Sequence, residues 1–389
     1  MKLSEILSGS KLISSLGQKA NLIKADSMIG FDLGLEKLNM VQVNYRYGQP
    51  TVHAAASDYH NSNLAEILDN PDSFKKLVKN CLKSRKFTGR KVVSSVPSHF
   101  LKLLFLNYQL GKNENDTDAL LSALKRRVDT DLNEYVIDYL PIKPEATERN
   151  DRMALVAMTK NDFVEEYLDL LTDCGLEVTA LEIGPVAIRR LINAMAINGQ
   201  PQKILTVNFG TNRSYLTVIW NNELLFDRKI DFGMDTVLTV VARAFDAPVK
   251  TALEVLHKYG LDEPNRPTYA EGSEYAEIDD NNDDSSIKNT IYDILNPSFV
   301  SLAAEIRDIV VYIASETRGG AVDQIYLMGS LARLSGIDNV MDKLISIPVK
   351  TINPFYGIKV DDVSNTLYDL GPVAGVAVAT GLALREQQR

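Results

Sequence analysis

Ile29-Gly30-Phe31-Asp32-Leu33-Gly34 and Leu205-Thr206-Val207-Asn208-Phe209-Gly210 are two copies of one pattern, and their reading decides the fold. Each is an apolar run that ends on Asp/Asn-x-Gly. Alternating apolar residues follow, Leu38 to Val43 after the first copy and Tyr215 to Ile219 after the second. Polar turns come next, Tyr47-Gly48-Gln49-Pro50 and Asn221-Asn222-Glu223. The pattern predicts strand, tight turn, strand, polar turn, strand in both places. A repeat of this size is a whole subdomain rather than a solenoid unit, and it points to duplication of an α/β lobe.

Chemistry gives such a hairpin a purpose. Glycine in the turn lets backbone N–H groups approach phosphate oxygens, and a carboxylate just before it can hold magnesium through water. One hairpin per lobe can clamp a nucleotide. The plainer alternative is two buried strands ending in ordinary turns, which a single copy would favour and two matched copies do not. A third element has the same character. Ile325-Tyr326-Leu327-Met328-Gly329-Ser330 is a short apolar strand running into a Gly-Ser turn, with Ala332 to Gly336 opening the next connection. Ahead of it, Leu302, Ile306, Ile309 and Ile313 share one face of a helix that Gly319-Gly320 ends.

Composition bounds the answer. At 389 residues the chain is long enough for at least two lobes. A formal net charge of -9 argues against a nucleic-acid partner, since polyphosphate backbones are bound by clustered Lys and Arg. The two cysteines, Cys81 and Cys174, are far apart, which excludes a disulfide framework and fits a reducing compartment. His53, His60, His99 and His257 have no metal-binding spacing. No segment offers the roughly 18 apolar residues of a membrane span. The best candidate, Pro372 to Leu384, is rich in Ala and Gly and reads as a helix packed closely on a sheet. Ser8, Ser10, Lys11 and Ser14 break up any signal-peptide core, so a cytosolic chain is expected.

The three turns, in this order, resemble the two phosphate motifs and the adenosine motif of the actin-like ATPases; Walker A and GxGxxG patterns are absent. Within that superfamily the chain most resembles the PilM family of type IV pilus assembly proteins, from about Met28 to Arg385. Ile29 to Val43 carries the resemblance, with Met153-Ala154-Leu155-Val156-Ala157-Met158, a helix from Asn161 and Cys174-Gly175-Leu176-Glu177-Val178. Leu181-Glu182-Ile183-Gly184-Pro185, Ala187-Ile188-Arg189-Arg190 and the closing Gly381-Leu382-Ala383-Leu384-Arg385 complete it.

The resemblance implies a two-lobed actin-like (ribonuclease H-like) α/β fold with a small α+β subdomain inserted in the first lobe. The expected divisions are an N-terminal extension 1–27, first lobe 28–90, inserted subdomain 91–181 and first-lobe return 182–200. The second lobe then takes 201–235, an outer subdomain 236–318 with an acidic loop 271–286, and 319–360. A C-terminal helix within 361–389 returns to the first lobe. The residues agree with an insertion. Leu120, Leu124, Val128 and Leu132 line one helix face, Phe163, Tyr167, Leu171 and Cys174 another, and Lys91 to Val96 and Val136 to Leu140 are strand-like. The cell-division protein FtsA shares the insertion but normally ends in an amphipathic membrane helix, whereas Arg385-Glu386-Gln387-Gln388-Arg389 closes this chain.

The resemblance also implies nucleotide ligands, and departures from the family pattern weaken them. The nucleotide-binding candidates are Asp32, Gly34, Asn208, Gly210, Thr211, Asn212, Glu254, His257, Gly329 and Ser330, with Asp32 reaching magnesium through water. Glu36 places negative charge near the first turn. Asn208 stands where the second hairpin usually begins with Asp, and an amide cannot position magnesium or polarise a water. Met328 replaces a glycine, and His257 replaces a lysine three residues after Glu254. Weak binding of ATP and magnesium without turnover is therefore expected. By resemblance the chain is a scaffold at the inner face of the cytoplasmic membrane, binding the cytosolic N-terminal segment of a PilN-like bitopic membrane protein; self-association is a further expectation. The alternatives are a working ATPase or filament former of the FtsA or MreB kind, or a part of a related secretion or competence system.

Two segments remain. In Met1 to Ala25, Leu3, Ile6, Leu7, Ile13 and Leu16 fall on one side of a helix, opposite Lys2, Lys11 and Lys19. Such a helix suits docking on its own lobe or a partner, or contact with a membrane surface. Glu271 to Ser286 is acidic, but Asp284 and Thr290 stand where a calcium loop counted from Asp279 needs Gly and Glu, so a solvated loop is expected.

Overall fold

The computed structural model of the chain describes residues 27–34, 36–46, 48–60, 64–112, 114–142, 151–196, 202–261, 282–361 and 373–385. They form two units. The first holds the described residues up to Gln202, Val218–Asp227 and those from Asn353 onward; the second holds Lys203–Thr217 and Arg228–Ile352.

In the first unit, β1 (Ser27–Leu33), β2 (Lys37–Arg46) and β3 (Gln49–Tyr59) form an antiparallel meander. β4 (Lys91–Ser95) pairs with β1, and β8 (Glu177–Glu182) with β4, both in parallel. With β14 (Lys359–Val360) the order is β14-β3-β2-β1-β4-β8. Side chains alternate across the pleat, so Ile29, Phe31 and Leu33 face one side. There they meet α1 (Leu64–Leu68) and α2 (Pro71–Ser84), whose Phe74, Leu77, Val78 and Cys81 repeat at helical spacing. Asn70 caps α2 by accepting from Ser73 N at 3.0 Å. On the opposite face α10 (Ala377–Ala383) lies against β1 and against α5 (Gly184–Met195). A Cβ at Gly30 would overlap the carbonyl of Ala379, so this approach requires glycine. The Ala- and Gly-rich C-terminal run is the closely packed helix its composition predicts.

A separate antiparallel sheet, β5-β7-β6, consists of β5 (Lys102–Gln109), β6 (Tyr135–Ile142) and β7 (Asp151–Lys160). Ala154, Val156 and Met158 of β7 pack against Leu120 and Leu124 of α3 (Asp116–Arg127). Leu155 and Ala157, on the other face, pack with Ile183 and Leu224. Lys91 to Val96, read in the sequence with this small unit, instead joins the larger sheet. Val92 and Val93 are fully buried, as a strand covered on both faces must be. α4 (Asn161–Asp173) likewise contributes Val164, Tyr167 and Leu171 to the core beneath β1.

The second sheet runs β11-β10-β9-β12-β13, from β9 (Lys203–Phe209), β10 (Ser214–Trp220), β11 (Glu223–Ile230), β12 (Gln324–Gly329) and β13 (Val349–Thr351). Asn221 and Asn222, at φ 51° and 69°, make the two-residue turn between β10 and β11. The tip of this hairpin groups with the first unit: Phe226 stacks on Phe105 at 5.5 Å, and Arg189 meets Glu223 at 2.5 Å. In the second unit α6 (Met234–Ala244), α7 (Val249–Tyr259), α8 (Asn282–Glu316) and α9 (Ile337–Leu344) complete the fold. Leu302, Ile306, Ile309 and Ile313 of α8 are buried, which is the face their spacing marks out. Among the described residues no helix is long and apolar enough to cross a membrane.

Candidate functional site

Asp32 ends β1 where the first hairpin turns. Gly34 N donates to Lys37 O at 2.9 Å, closing a tight turn that places Asp32 opposite Asn39 in the β1–β2 register. Ser95 Oγ at the end of β4 donates to Asp32 Oδ1 at 2.9 Å, and Asn39 Nδ2 donates to Oδ2 at 3.4 Å. Ser57 Oγ in turn donates to Asn39 Oδ1 at 2.7 Å. Burial raises the Asp32 pKa above its ordinary value; the Ser95 and Asn39 hydrogen bonds oppose that shift. The carboxylate is therefore desolvated and held by neutral donors. His60, buried at the far end of β3, adds a contact from Nε2 to Gly34 O at 3.2 Å.

The second unit builds the matching turn with the same chemistry. Gly210 N donates to Arg213 O at 3.1 Å, as Gly34 N does to Lys37 O. Asn208 occupies the position that Asp32 has in the first hairpin. β12 runs parallel to β9 with Met328 beside Asn208 and Gly329 beside Phe209. Gly329 has φ +85°, and a Cβ there would overlap Phe209 O. Ser330 seals the contact, its N donating to Phe209 O at 2.8 Å and its Oγ to Gly210 O at 2.9 Å. The N-terminus of α6 closes the group: Met234 N donates to Gly210 O at 3.0 Å and Asp235 N to Thr211 O at 2.9 Å.

Six of the sequence candidates, Asn208, Gly210, Thr211, Asn212, Gly329 and Ser330, thus gather at one end of the second sheet. Asp32 and Gly34 stand at the equivalent end of the first. Glu254 and His257 lie three residues apart on the exposed face of α7, which packs against α6 and α8. Sequence reasoning missed Ser95 and Ser57, whose roles depend on long-range pairing. It also missed Asp235, a partly buried carboxylate whose pKa burial raises. The local signal was present, because Gly233 opens α6 with Thr236 three residues on, and Gly233 N donates to Thr236 Oγ1 at 3.4 Å. Among the described residues no three His, Cys, Asp or Glu side chains gather around one point.

Two duplicated lobes, each with a strand–Gly turn at the end of its first strand, define a two-lobed actin-like fold. The sequence pattern of the family described as type IV pilus assembly protein PilM matches residues 30–263 and 261–387. The chain belongs to the PilM family of type IV pilus assembly proteins. Among solved structures, a PilM-PilN type IV pilus biogenesis complex is similar at 22% identity, with a TM-score of 0.71 over 92% of this chain and 98% of that one. Ethanolamine utilization protein EutJ from Carboxydothermus hydrogenoformans is similar at 14% identity, with a TM-score of 0.52 over 94% and 91%.

Proposed function

We propose that the chain is a cytoplasmic scaffold of a type IV pilus assembly complex at the inner membrane. In this role it binds the cytosolic N-terminal segment of a PilN-like bitopic partner and carries a degenerate nucleotide site. The observation that carries the scaffold reading is the family match, which runs through both lobes from residue 30 to 387. A solved relative in complex with PilN supports the choice of partner.

The nucleotide reading rests on the two turns. A desolvated carboxylate with only neutral donors lacks a counter-charge, so Asp32 suits a hydrated magnesium ion. Asn208 offers a neutral oxygen where the second turn would need a carboxylate to hold magnesium or orient a water. Magnesium bound at Asp32 would neutralise phosphate charge. Thr211 and Asn212, beside Gly210, and Ser330, beside Gly329, are the second lobe's candidates for phosphate and nucleoside. Binding without turnover is the outcome of one carboxylate in place of two. A phosphate-release assay on the purified chain tests this. Release should stay at the level of buffer, and Asn208→Asp should strengthen the magnesium dependence of nucleotide binding. Steady release that disappears in Asp32→Ala would instead identify a working ATPase.

A further inference from the structure

From Ser73 to Asn113 the chain carries ten Lys and Arg residues and no Asp or Glu, although its net charge is -9. The fold concentrates these charges. Lys76, Lys79 and Lys83 repeat at helical spacing along the exposed face of α2, and Lys86, Arg90 and Lys91 follow in the turn into β4; all six are exposed. The nearby acids reach only the margins. Asp173 takes Lys75 at 3.0 Å, Glu177 stands opposite Lys91 in the β4–β8 register, and Asp72 lies in the first turn of α2. Lys76, Lys79, Lys83, Lys86 and Arg90 form the centre of the patch.

We infer that this face docks on an anionic lipid surface. Three observations select that occupant. The cations lie along an outward helix face and the turn after it, as suits a broad charged plane. The apolar residues beside them, Leu82 and Phe87, pack inward on the core and leave the contact electrostatic. Ser27, the first described residue, also stands at this place, because Gln42 Nε2 donates both to Ser27 Oγ and to Thr88 O of the basic turn. In sequence the preceding stretch pairs Leu3, Ile6 and Leu7 with Lys2, Lys11 and Lys19. An outward basic face, with an amphipathic, Lys-bearing stretch preceding Ser27 in sequence, suits a bilayer that carries negative headgroups. The inference is independent of the PilN-like partner, since vesicle binding and peptide binding can each fail alone.

Flotation of the full chain with vesicles tests it, comparing phosphatidylcholine alone with a mixture containing about 30 mol % phosphatidylglycerol. The chain should float with the anionic vesicles only, and release should follow when salt rises from about 0.05 M to 0.5 M. Each Lys near such a surface contributes about fivefold in partitioning, so Lys76→Gln, Lys79→Gln, Lys83→Gln and Lys86→Gln together should lower binding at least ~10-fold. A control with Lys250→Gln, Lys288→Gln and Lys350→Gln should bind like the parent. Thermal melts confirm that both variants are folded. Equal binding to neutral vesicles, or undiminished binding by the patch variant, overturns the inference. So does patch-dependent binding of polyglutamate without vesicle binding, which would make the occupant an acidic polypeptide.

Discussion

Ser95 Oγ donates to Asp32 Oδ1 at 2.9 Å, so the end of β4 holds the carboxylate that ends β1 at the first hairpin turn. Its neighbour Ser94 accepts or donates a hydrogen bond with the buried Tyr167 hydroxyl of α4 at 2.9 Å. Two successive residues of one strand therefore tie the hairpin to the helix that follows β7.

The Asp32 environment sets a pH dependence. Its folded pKa lies above the unfolded value because burial disfavours the charge. The folded state then binds more protons than the unfolded state between those two values, and this group's contribution to stability falls as pH rises through that window. Asp32→Asn should unfold at a higher temperature than the parent at pH 7, and the gap should close as pH falls through the ordinary carboxylate range. Ser95→Ala removes a bond that favours the charge, so it should shift the Asp32 titration further upward, as followed by carboxyl NMR.

Gly329→Ala should cost at least ~2 kcal/mol, since it adds a left-handed backbone penalty to a collision with Phe209 O. Gly48 has φ +75° with nothing near its missing side chain, so Gly48→Ala should cost only about 1 kcal/mol. Urea unfolding of the two variants separates conformational strain from close approach.

Glu182 is buried, and its Oε1 accepts from Arg190 Nη2 at 2.8 Å and from Arg385 Nη1. Arg190 Nη1 also donates to Gly381 O at 2.7 Å, which fastens α10 to α5. Glu182→Ala should destabilise by about 3 kcal/mol, because it leaves two part-buried cations without their anion. Arg190→Met and Arg385→Met should be non-additive in a double-mutant cycle, since they share that one carboxylate.

The sequence made legible whatever depends on local pattern. Both meanders, the strand before Gly329 and the buried face of α8 follow from alternation and helical spacing; their repetition points to a duplicated α/β lobe, and the resemblance of the three turns to known motifs supplies the actin-like class. Membership of β4 in the larger sheet was not legible, because Lys91 to Val96 reads as a strand in either sheet and only its pairing with β1 decides. The partners of Asp32 were hidden for the same reason: Ser95 lies 63 residues away. Ser330 was visible as a turn residue, but its grip on Phe209 and Gly210 depends on the register of β12 against β9.

We propose that this chain holds a membrane partner and does not turn over nucleotide. Calorimetric titration with a synthetic peptide from the cytosolic N-terminal segment of its PilN-like partner tests that claim most directly. We expect saturable binding of one peptide per chain at micromolar affinity, roughly -8 kcal/mol, as suits a short interface. Asn208→Ala should leave it nearly unchanged, and deleting residues 102–160, with the remaining fold checked by circular dichroism, should abolish it. Binding lost in Asn208→Ala but kept by the folded deletion variant would contradict the account, as would no detectable binding by the parent.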